Sequence, residues 1–326
     1  MKTWTRRAVW IGLIGSGFLY ACSTPASQFV AEVEAKYPPI GQFIDVRDPG
    51  SGEPLRLHYD KRGAGPAVVL IHGASGNLRD FTFAMSDALA ARGFTALAFD
   101  RPGLGYSERV GGASYTPSSQ AAVMRAATAA LGIERPIVVG HSFGGAVAAA
   151  WAVDAPAETR GAVIVSGVTY PWPAGDNAYH AAASTAIFGP PINALVRRRA
   201  LRTGADGAVN WVFQPQAAPA GYAQYIGAEL ASRPASFREN GRDITNVNEA
   251  LEIVSERYGA LNIPIELVHG TADKIVPIDA HARRFKAALP AARLTELPGI
   301  GHMAHHAAAE AVIAAVQRIA ATTPES

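Results

Sequence analysis

Seven short apolar runs, separated by segments of helical length, limit what this chain can fold into. They are Phe43–Val46, Leu55–Tyr59, Ala67–Ile71, Thr95–Phe99, Ile137–Val139, Ala162–Val165 and Ile265–Val268, and a strand-like Arg293–Leu297 follows them. Runs this short, rich in Val, Ile and Leu at consecutive positions, suit strands covered on both faces; half-exposed strands would alternate apolar and polar residues. Between them lie Leu78–Arg92, Ser118–Leu131 and Gly145–Ala155, each long enough for a helix. Strand, helix, strand in succession reads as right-handed crossovers, and so as an α/β fold around a mostly parallel sheet with helices on both faces. With 326 residues, 49% of them hydrophobic, the chain can bury one large core and still carry an insertion.

The rhythm breaks once. From Val165 to Ile265 no central strand is evident, and prolines at 171, 173, 190, 191, 215, 219 and 234 divide the stretch into short helical pieces. An inserted helical cap over 171–258 is expected, between core segments 41–170 and 259–322. Its aromatic residues, Trp172, Tyr179, Phe188, Trp211 and Tyr222 among them, can line a pocket or pack a small core.

The N-terminus has a separate character. Lys2, Arg6 and Arg7 precede an apolar run from Ala8 to Tyr20, then Ala21, Cys22 and a polar stretch from Ser23. A basic start, a short apolar stretch and a small residue make a secretory signal, and the run falls short of the roughly 20 residues of a membrane-spanning helix. Leu19-Tyr20-Ala21-Cys22 resembles a bacterial lipobox, which implies lipidation at Cys22. Tyr20 is bulkier than that motif usually carries, so an uncleaved anchor over 1–21 is the other reading, and Thr5-Arg6-Arg7 leaves room for twin-arginine export. Residues 22–40 read as a tether, and the body is expected in the bacterial envelope, outside the cytoplasm. The formal charge of +2 depends on this segment: loss of residues 1–21, with three cations and no acid, turns it to −1. No nucleic-acid surface is implied. With Cys22 the only cysteine, neither an internal disulfide nor a thiolate metal site can form.

The chemistry is concentrated where Ile137-Val138-Val139 runs into Gly140-His141-Ser142-Phe143-Gly144-Gly145 and then into Ala146–Ala150. A serine at a sharp strand-to-helix turn occupies a strained backbone, and bulk two residues to either side would clash; Gly140 and Gly144 remove that bulk. The turn presents the Ser142 hydroxyl at the positive end of the following helix. A serine needs a base, and His302 has the best context, after the strand-like run and the turn Pro298-Gly299-Ile300-Gly301. The base needs an anion, and Asp273 closes His269-Gly270-Thr271-Ala272-Asp273 at the carboxyl end of a strand. The earlier position for an acid, after Ala162–Val165, offers none: Ser166–Tyr170 lacks one, and Asp176 belongs to the insertion. The Phe143 N–H would serve an oxyanion hole, with Ala74 N–H from His72-Gly73-Ala74-Ser75-Gly76 as its partner and Ser75 as the fallback. His72 reads as a brace for that loop. His305 and His306 read as exposed or structural, because a metal there would lack a third nearby ligand type.

Four segments in register, each after an expected strand, carry a resemblance: His72–Gly76, Asp100-Arg101-Pro102-Gly103-Leu104-Gly105-Tyr106-Ser107, Gly140–Gly145, and His269–Asp273 together with Gly301-His302. From about residue 40 to 320 the chain resembles the α/β-hydrolase superfamily with a helical cap. The resemblance implies eight strands, the second antiparallel, with the cap inserted after the sixth; it also implies a structural role for Asp100 and Ser107. Epoxide hydrolases and haloalkane dehalogenases of that superfamily carry aspartate at the elbow, so Ser142 speaks against both activities. Neither an organic cofactor nor a metal is implied. The expected activity is hydrolysis of a small carboxylic ester or related acyl substrate through an acyl-enzyme on Ser142. Carbon–carbon or amide hydrolysis, or perhydrolysis, with the same triad is one alternative, and a ligand-binding envelope lipoprotein without catalysis is another.

Overall fold

The computed structural model describes residues 26–110, 115–172, 177–203 and 206–322. The signal segment and Cys22 lie outside them. Eight strands form one sheet: β1 (Gln42–Arg47), β2 (Pro54–Arg62), β3 (Ala67–Ile71), β4 (Thr95–Phe99), β5 (Ile137–His141), β6 (Gly161–Val165), β7 (Ile265–Gly270) and β8 (Arg293–Leu297). Their spatial order is β1-β2-β4-β3-β5-β6-β7-β8. β2 pairs antiparallel with both β1 and β4, and all the other pairings are parallel. This is the α/β-hydrolase arrangement expected from the sequence, with the second strand reversed. The four strands β3 to β6 are buried almost throughout, as their unbroken apolar runs require, whereas β1 and β8 at the two edges keep exposed positions.

Helices cover both faces. In chain order they are α1 (Ala26–Lys36), α2 (Arg79–Thr82), α3 (Met85–Ala90), α4 (Pro117–Ala130), α5 (Phe143–Asp154), α6 (Asn177–Ser184), α7 (Gly189–Thr203), α8 (Asp206–Phe213), α9 (Tyr222–Ile226), α10 (Pro234–Ser255), α11 (Ala282–Ala288), α12 (Ala304–Ala307) and α13 (Ala309–Thr322). One core layer joins Val68, Leu70, Phe81, Val139, Val163, Val312 and Val316; on the other face Val69, Ile71, Val138, Met124, Val147 and Trp151 meet. Thr116 caps α4 reciprocally with Ser119, and Pro117 opens that helix. The interval between β6 and β7 holds α6 to α10, a helical cap over the carboxyl ends of the strands.

The tether expected over 22–40 needs correcting. Residues 26–36 are helical, and Phe29, Val33 and Tyr37 are buried against Leu230 of the cap. Arg233 adds an ion pair to Glu34 at 2.7 Å. The spacing of Phe29, Val33 and Tyr37 at i, i+4 and i+8 makes one apolar stripe, a helical signal that the polar surroundings obscured. Among the described residues no helix is long and apolar enough to cross a membrane.

Candidate active site

β5 ends in the elbow. Ser142 has φ 55° and ψ −118°, a conformation sparsely populated for a residue with a side chain. The surroundings hold it there: the Ser142 N–H donates to the Val165 carbonyl at 3.0 Å, and its own carbonyl accepts from Gly145 at 2.9 Å and Val168 at 3.0 Å. The flanking glycines are required by packing. A Cβ on Gly140 would stand 2.0 Å from the Gly144 carbonyl oxygen, and one on Gly144 would stand 2.1 Å from that of Ile71. Strand β3 and helix α5 therefore approach more closely than any side chain permits.

His302 lies beyond β8, and its Nδ1 is 2.8 Å from Asp273 Oδ2. The other oxygen of Asp273 accepts from the N–H groups of Ile275 and Val276, each at 2.9 Å. Burial alone would push this carboxyl up; hydrogen bonds from His269, His302 and the Val276 amide outweigh it and hold the group well below the usual carboxylate range. An ionised Asp273 is an acceptor for an N–H on His302 Nδ1, which orients the imidazole ring. The loop carrying His302 is clamped by the cap, since Gln216 accepts from Gly301 N–H and donates to the Gly299 carbonyl, both at 2.9 Å. The elbow also reaches that loop: His141 Nε2 is 3.1 Å from the His302 carbonyl oxygen.

Ser142 and His302 border one cavity of about 380 Å³. Among the described residues no hydrogen bond joins the Ser142 hydroxyl to His302. The loop after β3 lies against Ser142, since a Cβ on Gly73 would be 3.5 Å from Ser142 Oγ. The N–H groups of Ala74 and Phe143 donate to no described residue. Ser75 N–H is committed to Asn240 Oδ1 at 2.7 Å, which removes the fallback donor. His72 is fully buried, accepting from Arg101 N–H on Nε2 at 3.0 Å and contacting the Gly73 carbonyl through Nδ1 at 2.8 Å. Burial and the Arg101 charge lower it to about 4, so it braces the loop as a neutral imidazole. Asp100 is likewise structural, bound to His58, Leu78 N–H and Tyr106 N–H.

Asp80 was missed in the sequence, and it changes the account of the two later histidines. Its Oδ1 lies 3.0 Å from His305 Nε2, 2.8 Å from His306 Nε2 and 2.8 Å from the Tyr222 hydroxyl. His305 is buried, so the exposed reading fails, and a third ligand type does stand beside the pair. The geometry nevertheless suits a hydrogen-bonded carboxylate. A His305 bound to metal through Nε2 would carry its proton on Nδ1, which is buried without a partner, whereas metal-bound histidines almost always donate that proton. Asp80 is 225 residues from His305, and nothing local in the sequence signals the pairing. Arg101 was missed in the same way: fully buried, it joins Asp243 of α10 at 2.9 Å and Gln120 of α4 at 2.8 Å, with its guanidinium 4.3 Å from the Phe143 ring centre.

Residues 66–309 match the family model described as alpha/beta hydrolase fold. The chain belongs to the α/β-hydrolase family. It is 28% identical over 315 residues to an uncharacterised protein of Mycobacterium tuberculosis, covering 88% of this chain and 82% of that one. Haloalkane dehalogenase 2 of the same organism is 27% identical over 266 residues, covering 80% and 90%. A thermophilic esterase from Thermogutta terrifontis superposes with a TM-score of 0.68 at 17% identity, covering 86% of this chain and 99% of that one. Hydrolase chemistry follows from the family; the bond cleaved does not.

Proposed function

We propose that this hydrolase cleaves carboxylic esters through an acyl-enzyme on Ser142. The observation that carries the reading is the hydrogen bond between His302 and an ionised Asp273 beside a strained serine elbow on the same cavity. His302 Nε2 takes the Ser142 proton as Oγ attacks the carbonyl carbon, and Asp273 stabilises the imidazolium that forms. The oxyanion is received by the uncommitted N–H groups of Phe143 and Ala74. The proton then passes to the leaving alkoxide, and water, deprotonated by the same imidazole, releases the acid.

The dehalogenase-like relative does not transfer its named activity easily. Displacement of halide by a serine hydroxyl would leave an ether, which water cannot cleave under these conditions, whereas an acyl group on Ser142 leaves an ester that it can. The cavity walls favour an apolar acyl or alcohol group, with Val196, Val209, Val212, Ile226 and Met303 contributed mostly by the cap.

Side-by-side turnover of a p-nitrophenyl ester, the matching anilide and a β-diketone tests the bond assignment. The ester should be cleaved at least about 100-fold faster than either competitor; a preference for the diketone or anilide would replace ester hydrolysis with the corresponding reaction.

A further inference from the structure

Large apolar side chains are exposed in one part of the molecule far more than elsewhere. Ile187 is 76% exposed, Phe188 59%, Leu195 70% and Trp211 59%, and half-exposed Tyr179 joins them. All five come from α6, α7, α8 and the turn between the first two, the elements that roof the cavity through Tyr179, Val196, Val209 and Val212. An apolar concentration of this kind on a soluble face marks a contact surface.

Two observations identify what it contacts. The first is charge. Arg198 and Arg199 follow Leu195 at i+3 and i+4, on the same side of α7, both exposed, and α7 contains no acidic residue. Leu195 with Arg198 and Arg199 on one side of α7, and Trp211 exposed on α8, give the cap the apolar and basic composition of a surface that lies on anionic lipid. The second is connectivity. The described chain begins at α1, whose Phe29 ring lies 5.3 Å from the Arg197 guanidinium of α7. Three residues lie between Cys22 and Ala26, so the two are at most about 14 Å apart when the chain is extended. Any lipid or anchor at the N-terminus therefore holds the cap close to the bilayer through the contact of α1 with α7.

We propose that the outer face of the cap, formed by Ile187, Phe188, Leu195 and Trp211 with Arg198, rests on an anionic phospholipid bilayer, so that the cavity over Ser142 receives substrate from the lipid side. α1 then acts as a strut: its apolar stripe and the Glu34–Arg233 ion pair fix the anchor point to the cap, and with it the orientation of the site. The geometry is independent of the bond cleaved.

Hydroxyl-radical footprinting of the full chain, reconstituted into vesicles of phosphatidylcholine with 30% phosphatidylglycerol, tests it. Ile253 of α10 is an internal reference: it is 65% exposed, and nearby Arg257 pairs with Asp154 at the end of α5 remote from Ser142. On a docked cap the oxidation of Ile187 should fall at least five-fold relative to Ile253, with Phe188 and Trp211 falling in parallel, and a Ser142→Ala variant should give the same pattern. Equal oxidation of Ile187 and Ile253 on vesicles would overturn the proposal. So would protection retained without lipid together with a dimer by light scattering, which would assign the face to a second copy of the chain. A triple variant, Ile187→Ser with Phe188→Ser and Leu195→Ser, should keep its rate on a soluble ester and lose at least ten-fold on an ester embedded in vesicles; equal loss on both would also contradict the docking role.

Discussion

The floor of the cavity and its roof are built on different terms. The floor consists of strand ends and the loops leaving them. Ser142 and Asp273 are fixed by backbone hydrogen bonds, and Ser142, Asp273 and His302 sit beside glycines where one chain segment presses on another. The roof is made of helices that reach the floor through side chains: Tyr222 to Asp80, Asn240 to Ser75, Asp243 to Arg101. Such a division separates the chemistry, which tolerates no displacement, from the shape of the pocket, which can vary. Substitutions on the two sides should accordingly have unlike consequences.

Ser142→Ala gives the largest expected effect, a fall in kcat of at least about 10⁴-fold on a p-nitrophenyl ester, with the thermal midpoint nearly unchanged. Asp273→Asn should cost on the order of 10³- to 10⁴-fold, because an amide no longer secures the proton on His302 Nδ1; steady-state kinetics on purified protein checks both. Asp243→Asn joins floor to roof. It leaves Arg101 buried against a neutral partner, and a loss of about 3–5 kcal/mol in chemical unfolding is expected. A loss under 1 kcal/mol would show that the roof is not secured there.

Substitution in the roof alone should redirect rather than abolish activity. Ile226→Phe narrows the apolar wall and should lower kcat/KM for long acyl chains by about ten-fold while sparing acetate and butyrate esters. A uniform loss across chain lengths would merge the two regions. The smallest effect is on pH. Burial, the dominant cause, lowers His72, His281 and His305 to about 4, whereas the unfolded chain titrates near 6.5. Below that value the unfolded state takes up protons that the folded state refuses, so stability is full above about pH 7 and declines as the pH falls toward 4. Between pH 7 and pH 6 the decline should be roughly 0.7 kcal/mol for each of the three histidines, read from urea midpoints.

The same division explains what could be read in the sequence. Floor residues announce themselves because each sits in a local pattern: a strand, then a glycine-bearing turn, then a side chain of the expected site. Ser142, Asp273 and His302 could be chosen that way, and the structure brings the latter two into contact and sets Ser142 and His302 on one cavity. The roof gives only proline punctuation and scattered aromatics, enough to expect helices but not their contacts. Asp80 shows the limit. It lies in a single turn of helix and is defined by partners 142, 225 and 226 positions away, which no local pattern encodes. The α1 stripe was legible in its spacing, yet its partner Leu230 belongs to the cap, two hundred residues later along the chain.

Fluorophosphonate labelling of the intact chain, followed by peptide mass mapping, tests the nucleophile most directly. A single adduct on the peptide carrying Ser142, absent from Ser142→Ala and formed far more slowly in Asp273→Asn, is the predicted result. An adduct on a different serine, or undiminished labelling of the Ser142→Ala chain, would contradict it.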